Sequence, residues 1–255
     1  MKALFSLFYM TIRAIGEYSQ MVCEAFVAPF RRRLDRKEIF RQMVEIGVKS
    51  VPIVLITGMF TGMVLAMQTA YGLQRFGVKN YVGHITGLSF VRELGPVLTA
   101  IVVCGRSGAG VAAEIASMVV TEQVDAMRAL GANPIAKLVS PRIFAAIIVT
   151  PILVVFANVI GMYGGLLIGV YELGLSAHLY YRSILYAVVL KDIFDGVIKG
   201  MLFGFLVVSV ACHRGLTTEG GTEGVGKSTT SAVVFGCVVI IISDYFVTKL
   251  LIILG

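Results

Sequence analysis

The stretch Val82–Val120 reads VGHITGLSFVRELGPVLTAIVVCGRSGAGVAAEIASMVV. Apolar and small residues dominate it, yet Arg92 and Glu93 stand side by side inside it. A charge at bilayer depth costs about 3 kcal/mol on insertion scales, so such residues turn toward a bundle interior or a water-filled cavity. The stretch therefore predicts a membrane-embedded helix with a polar path or pocket beside it.

Composition agrees. The 255 residues are 57% hydrophobic and 15% charged, against roughly 25% charged in a soluble domain, and the mean hydropathy is +0.88. The net charge of +7 does not point to nucleic acid. Its basic residues gather between apolar runs, where they act as topology signals. Cys23, Cys104, Cys212 and Cys237 form no C-x-x-C pair, and His84, His178 and His213 lack ligand spacing. Neither a disulfide frame nor a metal site is expected.

Four further apolar runs follow from the same reading. The first span is 51–71, uncharged, with Gly58 and Gly62 on one small-residue face. The second starts near Ile85 and reaches Val120, with Pro96 as a kink point. The third is 143–170, the fourth 194–212 and the fifth 231–254. Residues 171–191 are mixed and read as lying outside the membrane. Ahead of the spans, Leu4, Phe5, Phe8, Ile12 and Ile15 recur at helical spacing, interrupted by Arg13, Glu17 and Gln20. That pattern predicts an interfacial helix, or more simply a short N-terminal helix. Residues 1–48 thus form an interfacial helix and basic segment, and 49–255 a five-span domain. The fold class is an all-α integral membrane protein.

Arg31, Arg32, Arg33, Arg36, Lys37 and Arg41 precede the first span, which favours a cytoplasmic N-terminus. Five spans then put the C-terminus on the outer side. Inside segments would hold Arg106, Arg128, Lys137, Arg142, Arg214 and Lys227, and outside segments Arg75, Lys79, Arg182 and Lys191, with Lys249 near the outer end of span five. Between spans two and three, TEQVDAMRALG at 121–131 predicts a short cytoplasmic helix. Thr121 is its expected cap, and Glu122, Asp125 and Arg128 suit its dipole. Gly131 and Asn133-Pro134 end it, with Val124, Met127 and Leu130 on one face. Such a helix is what a permease offers to a motor subunit; an ordinary loop helix is the plainer alternative.

Two stretches resemble enzyme motifs. Residues 221–228, GTEGVGKS, match a phosphate loop by letters, but the preceding element is a span rather than a buried strand. Residues 105–108, GRSG, match an intramembrane serine protease motif, with His213 as the only base on the same side. Both are read as packing and connection elements. Lys199 in span four and Asp244 in span five are further charges in apolar runs, read as cavity charges or members of an ion pair.

The block LSFVRELGPVLTAIVVCGRSGAGVAAEIASMVVTEQVDAMRALGANPIAKLVSPR resembles the signature of the MlaE-type permeases of ABC lipid transporters. So do GMFTGMVLAMQ in span one, GMYGGLLIG in span three, IKG in span four and EGVGKSTTSAVV before span five. The resemblance runs from about Lys49 to the last residue. It implies a non-catalytic, cofactor-free permease subunit that moves glycerophospholipid between the inner and outer membranes of a Gram-negative envelope. It places the chain in the inner membrane as a homodimer. The implied partners are a cytoplasmic ABC ATPase dimer that binds ATP, a small STAS-domain regulator and a periplasmic MCE-domain lipid-binding protein. Arg92, Glu93, Lys199 and Asp244 match the family's functional charges, and residues 122–130 its coupling helix. Tyr71 stands one position from the family's aromatic and is implied as a cavity residue. Two other functions stay open on the residues alone: an ion or small-solute channel, and an intramembrane hydrolase using Ser107.

Overall fold

A computed structural model of the chain describes residues 2–31, 35–78 and 81–254. Arg32, Arg33 and Lys79, and the side chains of Leu4, Phe5, Phe8 and Arg31, lie outside what it describes. Among the described residues there are eleven α-helices and no strand. They are α1 (Lys2–Arg31), α2 (Arg36–Ile46), α3 (Val51–Gln74), α4 (Val82–Ser89), α5 (Gly95–Val103), α6 (Ala109–Val120), α7 (Gln123–Ala129), α8 (Ser140–Tyr171), α9 (Ala177–Ala187), α10 (Leu190–Leu216) and α11 (Gly221–Leu254).

Five helical runs are long and apolar enough to cross a membrane: Arg36–Gln74, Val82–Val120, Ile135–Tyr171, Leu190–Leu216 and Gly221–Ile253. They contain the five predicted spans, to within one residue at the C-terminal end of the fifth, and each extends past its span at the N-terminal end. Hydropathy marks the part that sits in lipid, whereas the helix continues for as long as its backbone bonds are made. The protein is a multi-pass membrane protein of the all-α class.

α3 and α8 form the most extensively packed pair in the bundle. They run side by side in one direction, with Gly58 against Ala157 and Ile160, and Gly62 against the Gly161 backbone. Helices in lipid gain little from apolar contact alone, so small residues that let backbones touch decide where they associate. Gly161 has a second neighbour. A β-carbon there would strike the ring of Phe90, which is fully buried.

The second crossing is one continuous helix broken by two π-turns, Phe90–Leu94 and Cys104–Gly108. The expected kink at Pro96 takes this form. Proline offers no N–H to the carbonyl four residues back, which belongs to Arg92. The wider turn ahead of it accommodates the loss.

α1 lies against α10 and the segment Ile135–Val139 that precedes α8. Met21 and Ala25 enter the core, the Tyr18 and Ser209 hydroxyls meet at 2.7 Å, and Ser140 donates to the Ala25 carbonyl. Burial pushes the Tyr18 phenol above its ordinary pKa. Ile12, Ile15, Phe26 and Val27 stay exposed, the apolar face an interfacial helix needs.

Two sequence readings gain detail here. Residues 171–191, read as lying outside the membrane, include a helix that joins the bundle: α9 packs along α4 and the far end of α8, burying Tyr180 and Ile184. Gly83, Gly87, Gly165 and Gly169 make the slot that admits them, a shape that hydropathy does not report. The phosphate-loop look-alike is the start of α11. Gly220 and Gly221 turn the chain in the left-handed region (φ +88° and +66°). Residues 221–228 then form helix, with Glu223 and Lys227 paired at 2.7 Å one turn apart. A helix with its backbone bonded to itself cannot form a loop that cradles phosphate.

Candidate functional site

The four charges predicted from three separate stretches meet in one cluster. α10 carries Asp192 and Lys199, seven residues apart and so on one face. The π-turn presents Arg92 and Glu93 to that face. Arg92 Nε donates to Asp192 Oδ1 at 2.6 Å, and Lys199 Nζ donates to Glu93 Oε2 at 2.6 Å. In a regular α-helix adjacent side chains diverge by about 100°, which predicts that only one of the two would face a given neighbour. The π-turn reduces that step, and both reach the same helix. Arg92 and Glu93 do not pair with each other.

Lys199 is the hub. Its side chain is only 2% exposed. It also donates to the Asp244 carboxylate at 2.9 Å, to Thr248 Oγ1 at 2.7 Å and to the Arg92 carbonyl at 3.0 Å. That carbonyl is the one Pro96 cannot serve, so the lysine occupies an acceptor that the proline freed. Thr248 sits one turn after Asp244 on α11 and reaches both carboxylates. Asp192 is fully buried and has a second duty, accepting from the Val189 N–H ahead of α10 at 3.0 Å.

Three carboxylates thus meet two cations on helices long and apolar enough to cross a membrane. Arg92 is 49% exposed, so only one edge of its guanidinium is committed. Glu93 also keeps an open side. The arrangement can offer a cationic fork and an anion to one polar group entering from outside the bundle. Tyr71 is not part of it: it is exposed on α3 and makes none of these bonds. A tyrosine at the end of an apolar run also suits the membrane interface, where its ring and hydroxyl find different surroundings.

Sequence reasoning missed Asp192 and Thr248. Asp192 looked like a residue of a mixed loop beside Lys191 and Asp195, and Thr248 carries no charge to attract notice. It also read Arg142 as a surface topology charge. Arg142 is buried, bonded to Glu114 at 2.7 Å and to the Leu138 carbonyl.

The predicted helix between spans two and three is α7. Its cap differs from expectation. Glu122 takes the N-cap position in the left-handed region (φ 58°), and Thr121 turns back to the Ser117 carbonyl. Asp125 and Arg128 pair across one turn. The expected single apolar face is split. Val124 is 2% exposed and packs inward, Met127 lies part-way, and Leu130 is 85% exposed. Ser107 is buried among Ser50, the Ile46 carbonyl and Arg106. His213 instead meets the Tyr18 ring edge-on, and among the described residues the Ser107 hydroxyl has no histidine partner. Among the described residues no group of three or more His, Cys, Asp or Glu side chains could hold a metal.

Residues 39–250 match the family described as permease MlaE. A probable ABC transporter permease protein of Rickettsia typhi is 46% identical over 213 residues, covering 84% of this chain and 82% of that protein. The chloroplastic protein TRIGALACTOSYLDIACYLGLYCEROL 1 of Arabidopsis thaliana is 38% identical over 213 residues, 84% of this chain and 61% of its own. The intermembrane phospholipid transport system permease protein MlaE of Haemophilus influenzae is 32% identical over 240 residues, 94% of this chain and 92% of its own. The Rickettsia typhi and Haemophilus influenzae relatives are named as permease proteins of transport systems. With the family match spanning nearly all of the five-crossing bundle, the chain belongs to the MlaE permease family and is a permease subunit.

Proposed function

We propose that this permease is the membrane subunit of an ATP-driven transporter of glycerophospholipids between the inner and outer membranes of a Gram-negative envelope. The observation that carries the reading is the cluster at Arg92 and Glu93. It sets a part-open guanidinium and a part-open carboxylate, both braced by α10, in an otherwise apolar crossing. A phospholipid headgroup supplies phosphate for the first, and a zwitterionic one supplies an amine for the second. The name of the Haemophilus influenzae relative supports the same cargo.

In this reading the chain needs no cofactor, and Lys199 and Asp244 hold the two headgroup-facing residues in place. Tyr71 serves the cavity mouth. The chain works as a homodimer in the inner membrane, with its N-terminus cytoplasmic and its C-terminus periplasmic. A cytoplasmic ABC ATPase dimer binds ATP, with a small STAS-domain regulator beside it, and an MCE-domain protein receives lipid on the periplasmic side. Residues 1–48 lie at the cytoplasmic surface, and 49–255 form the permease domain.

The test is lipid transfer by the reconstituted complex. Arg92→Lys keeps the charge against Asp192 and loses the planar fork. A charge-assisted hydrogen bond contributes about 1.5–3 kcal/mol, so transfer should fall about tenfold to a hundredfold, with assembly and folding intact. Wild-type transfer by both Arg92→Lys and Arg92→Gln would overturn the headgroup site.

α7 is the coupling helix in this reading, and Leu130 is its exposed anchor. Met127→Asp with Leu130→Asp should release the ATPase while the membrane part stays folded, seen as loss of co-purification. Val124→Asp is expected to destabilise the bundle instead, because it buries an unpaired carboxylate. Retention of the ATPase by the double variant, with normal ATP turnover, would remove α7 from the interface.

A further inference from the structure

A groove lies on the outside of the bundle, and no residue of the charge cluster lines it. It holds about 460 Å³, within the usual range for a ligand pocket. Val159, Met162 and Tyr163 of α8 form one wall, and Tyr181, Ile184 and Leu185 of α9 the other. Its lining is apolar apart from the two phenols.

Its depth follows from the helix contacts. Tyr180 packs against Gly165 and Gly169, which stand six and two residues before the end of α8 at Tyr171. At 1.5 Å per residue that is roughly 9 and 3 Å inside the helix end. Ile184 lies one turn further along, against Gly87 of α4. Val159 is twelve residues before Tyr171, roughly 18 Å in. The groove therefore runs inward through one leaflet, at the end of the bundle away from α7.

Arg182 sits on α9 between Tyr180 and Ile184, next to the groove residue Tyr181. It is exposed and has no hydrogen bond or ion pair among the described residues. A guanidinium just inside the end of a crossing is costly unless an anion meets it. A phospholipid of the adjacent leaflet brings that anion at the right level, with an acyl chain to lie below it. A membrane-spanning partner helix would have to carry a carboxylate to the same depth, at a similar cost to itself.

We infer that the α8–α9 groove binds a bilayer phospholipid, with its phosphate on Arg182 and an acyl chain between Val159 and Leu185. Binding does not depend on the transport reading; only the step of treating this lipid as waiting cargo rests on it.

Photo-cross-linking tests it. The full complex, in native membranes, is loaded with a phospholipid bearing a diazirine on its acyl chain, and adducts are mapped by peptide mass spectrometry. Adducts should concentrate at residues 159–163 and 181–185. They should fall severalfold in Arg182→Glu and in Val159→Trp, which fills the groove, and should be unchanged in Arg92→Lys. Adducts no more frequent there than at Val234, Val238 and Ile241 of α11 would reduce the groove to ordinary lipid contact and overturn the site. So would a partner's apolar helix cross-linking in place of lipid. Adducts as expected with undiminished transfer by Arg182→Glu would uphold the site and overturn only the cargo step. The headgroup reading is judged separately, by Arg92→Lys.

Discussion

Replacing Lys199 with methionine is expected to lower the thermal midpoint of the purified protein by roughly 10 °C and to abolish lipid transfer. The side chain is buried and its ammonium has four acceptors within 3.0 Å: Glu93, Asp244, Thr248 and the Arg92 carbonyl. An ammonium has three protons, so every one is committed and one is shared. Methionine fills a similar volume but leaves two carboxylates facing each other without a cation. Removing one partner of a buried pair costs about 3–5 kcal/mol, since the other charge stays behind. In a chain of this length 1 kcal/mol moves the midpoint by about 2–4 °C. Glu93→Gln with Asp244→Asn, added to Lys199→Met, should restore most of the midpoint because no uncompensated charge remains. It should not restore transfer, because the carboxylate offered to the headgroup is gone. Thermal melts in detergent and transfer in liposomes separate these effects. A Lys199→Met protein as stable as wild type would show that Lys199 does not hold the cluster together.

Gly62→Leu should be the most damaging substitution on the α3 surface. A single β-carbon at Gly62 meets the Gly161 carbonyl, carbon and Cα, all of them backbone. Neither helix can yield by changing a rotamer, so α3 must move away from α8. Overpacking a tight core commonly costs 1–3 kcal/mol, occasionally more. Here the loss spreads along the largest helix contact of the bundle. The same movement disturbs Phe90, whose ring rests on Gly161 and anchors the π-turn below Arg92. Low monodisperse yield on size exclusion and a depressed midpoint are expected. Gly72→Ala is the control. It lies on the same helix with nothing near its absent side chain, and alanine is the better helix former by about 1 kcal/mol. If Gly62→Leu behaves like Gly72→Ala, the close approach of α3 and α8 does not hold the bundle.

The crossings were legible because lipid imposes a simple rule: long apolar runs with their backbones internally bonded. The four cluster charges were legible for the same reason, since Arg92, Glu93, Lys199 and Asp244 each interrupt such a run. Their pairing was not. Periodicity arguments assume 3.6 residues per turn, and the π-turn at Phe90–Leu94 departs from that at the place where it decides which neighbour Arg92 meets. Asp192 was hidden because only the third dimension carries its mixed segment back to the bundle. The position of α7 could be read from Gly131 and Asn133-Pro134. The split between inward Val124 and outward Leu130 could not, because a helix wheel shows a face but not what covers it. Residues 221–228 show the reverse case. Their letters suggest a loop, and the span they open decides that they form a helix.

The imbalance of three carboxylates over two cations has an electrical consequence. With every group ionised the empty cluster carries an excess negative charge. Any shift of that cluster along the membrane normal does work against the resting potential, about 2.3 kcal/mol per elementary charge for a full 100 mV drop. A zwitterionic headgroup brings its phosphate together with its amine and is neutral overall, so it leaves that excess in place. Empty and zwitterion-loaded clusters would then feel the field alike, whereas an anionic headgroup would add to the charge, so membrane voltage would weigh unequally on the two lipid classes.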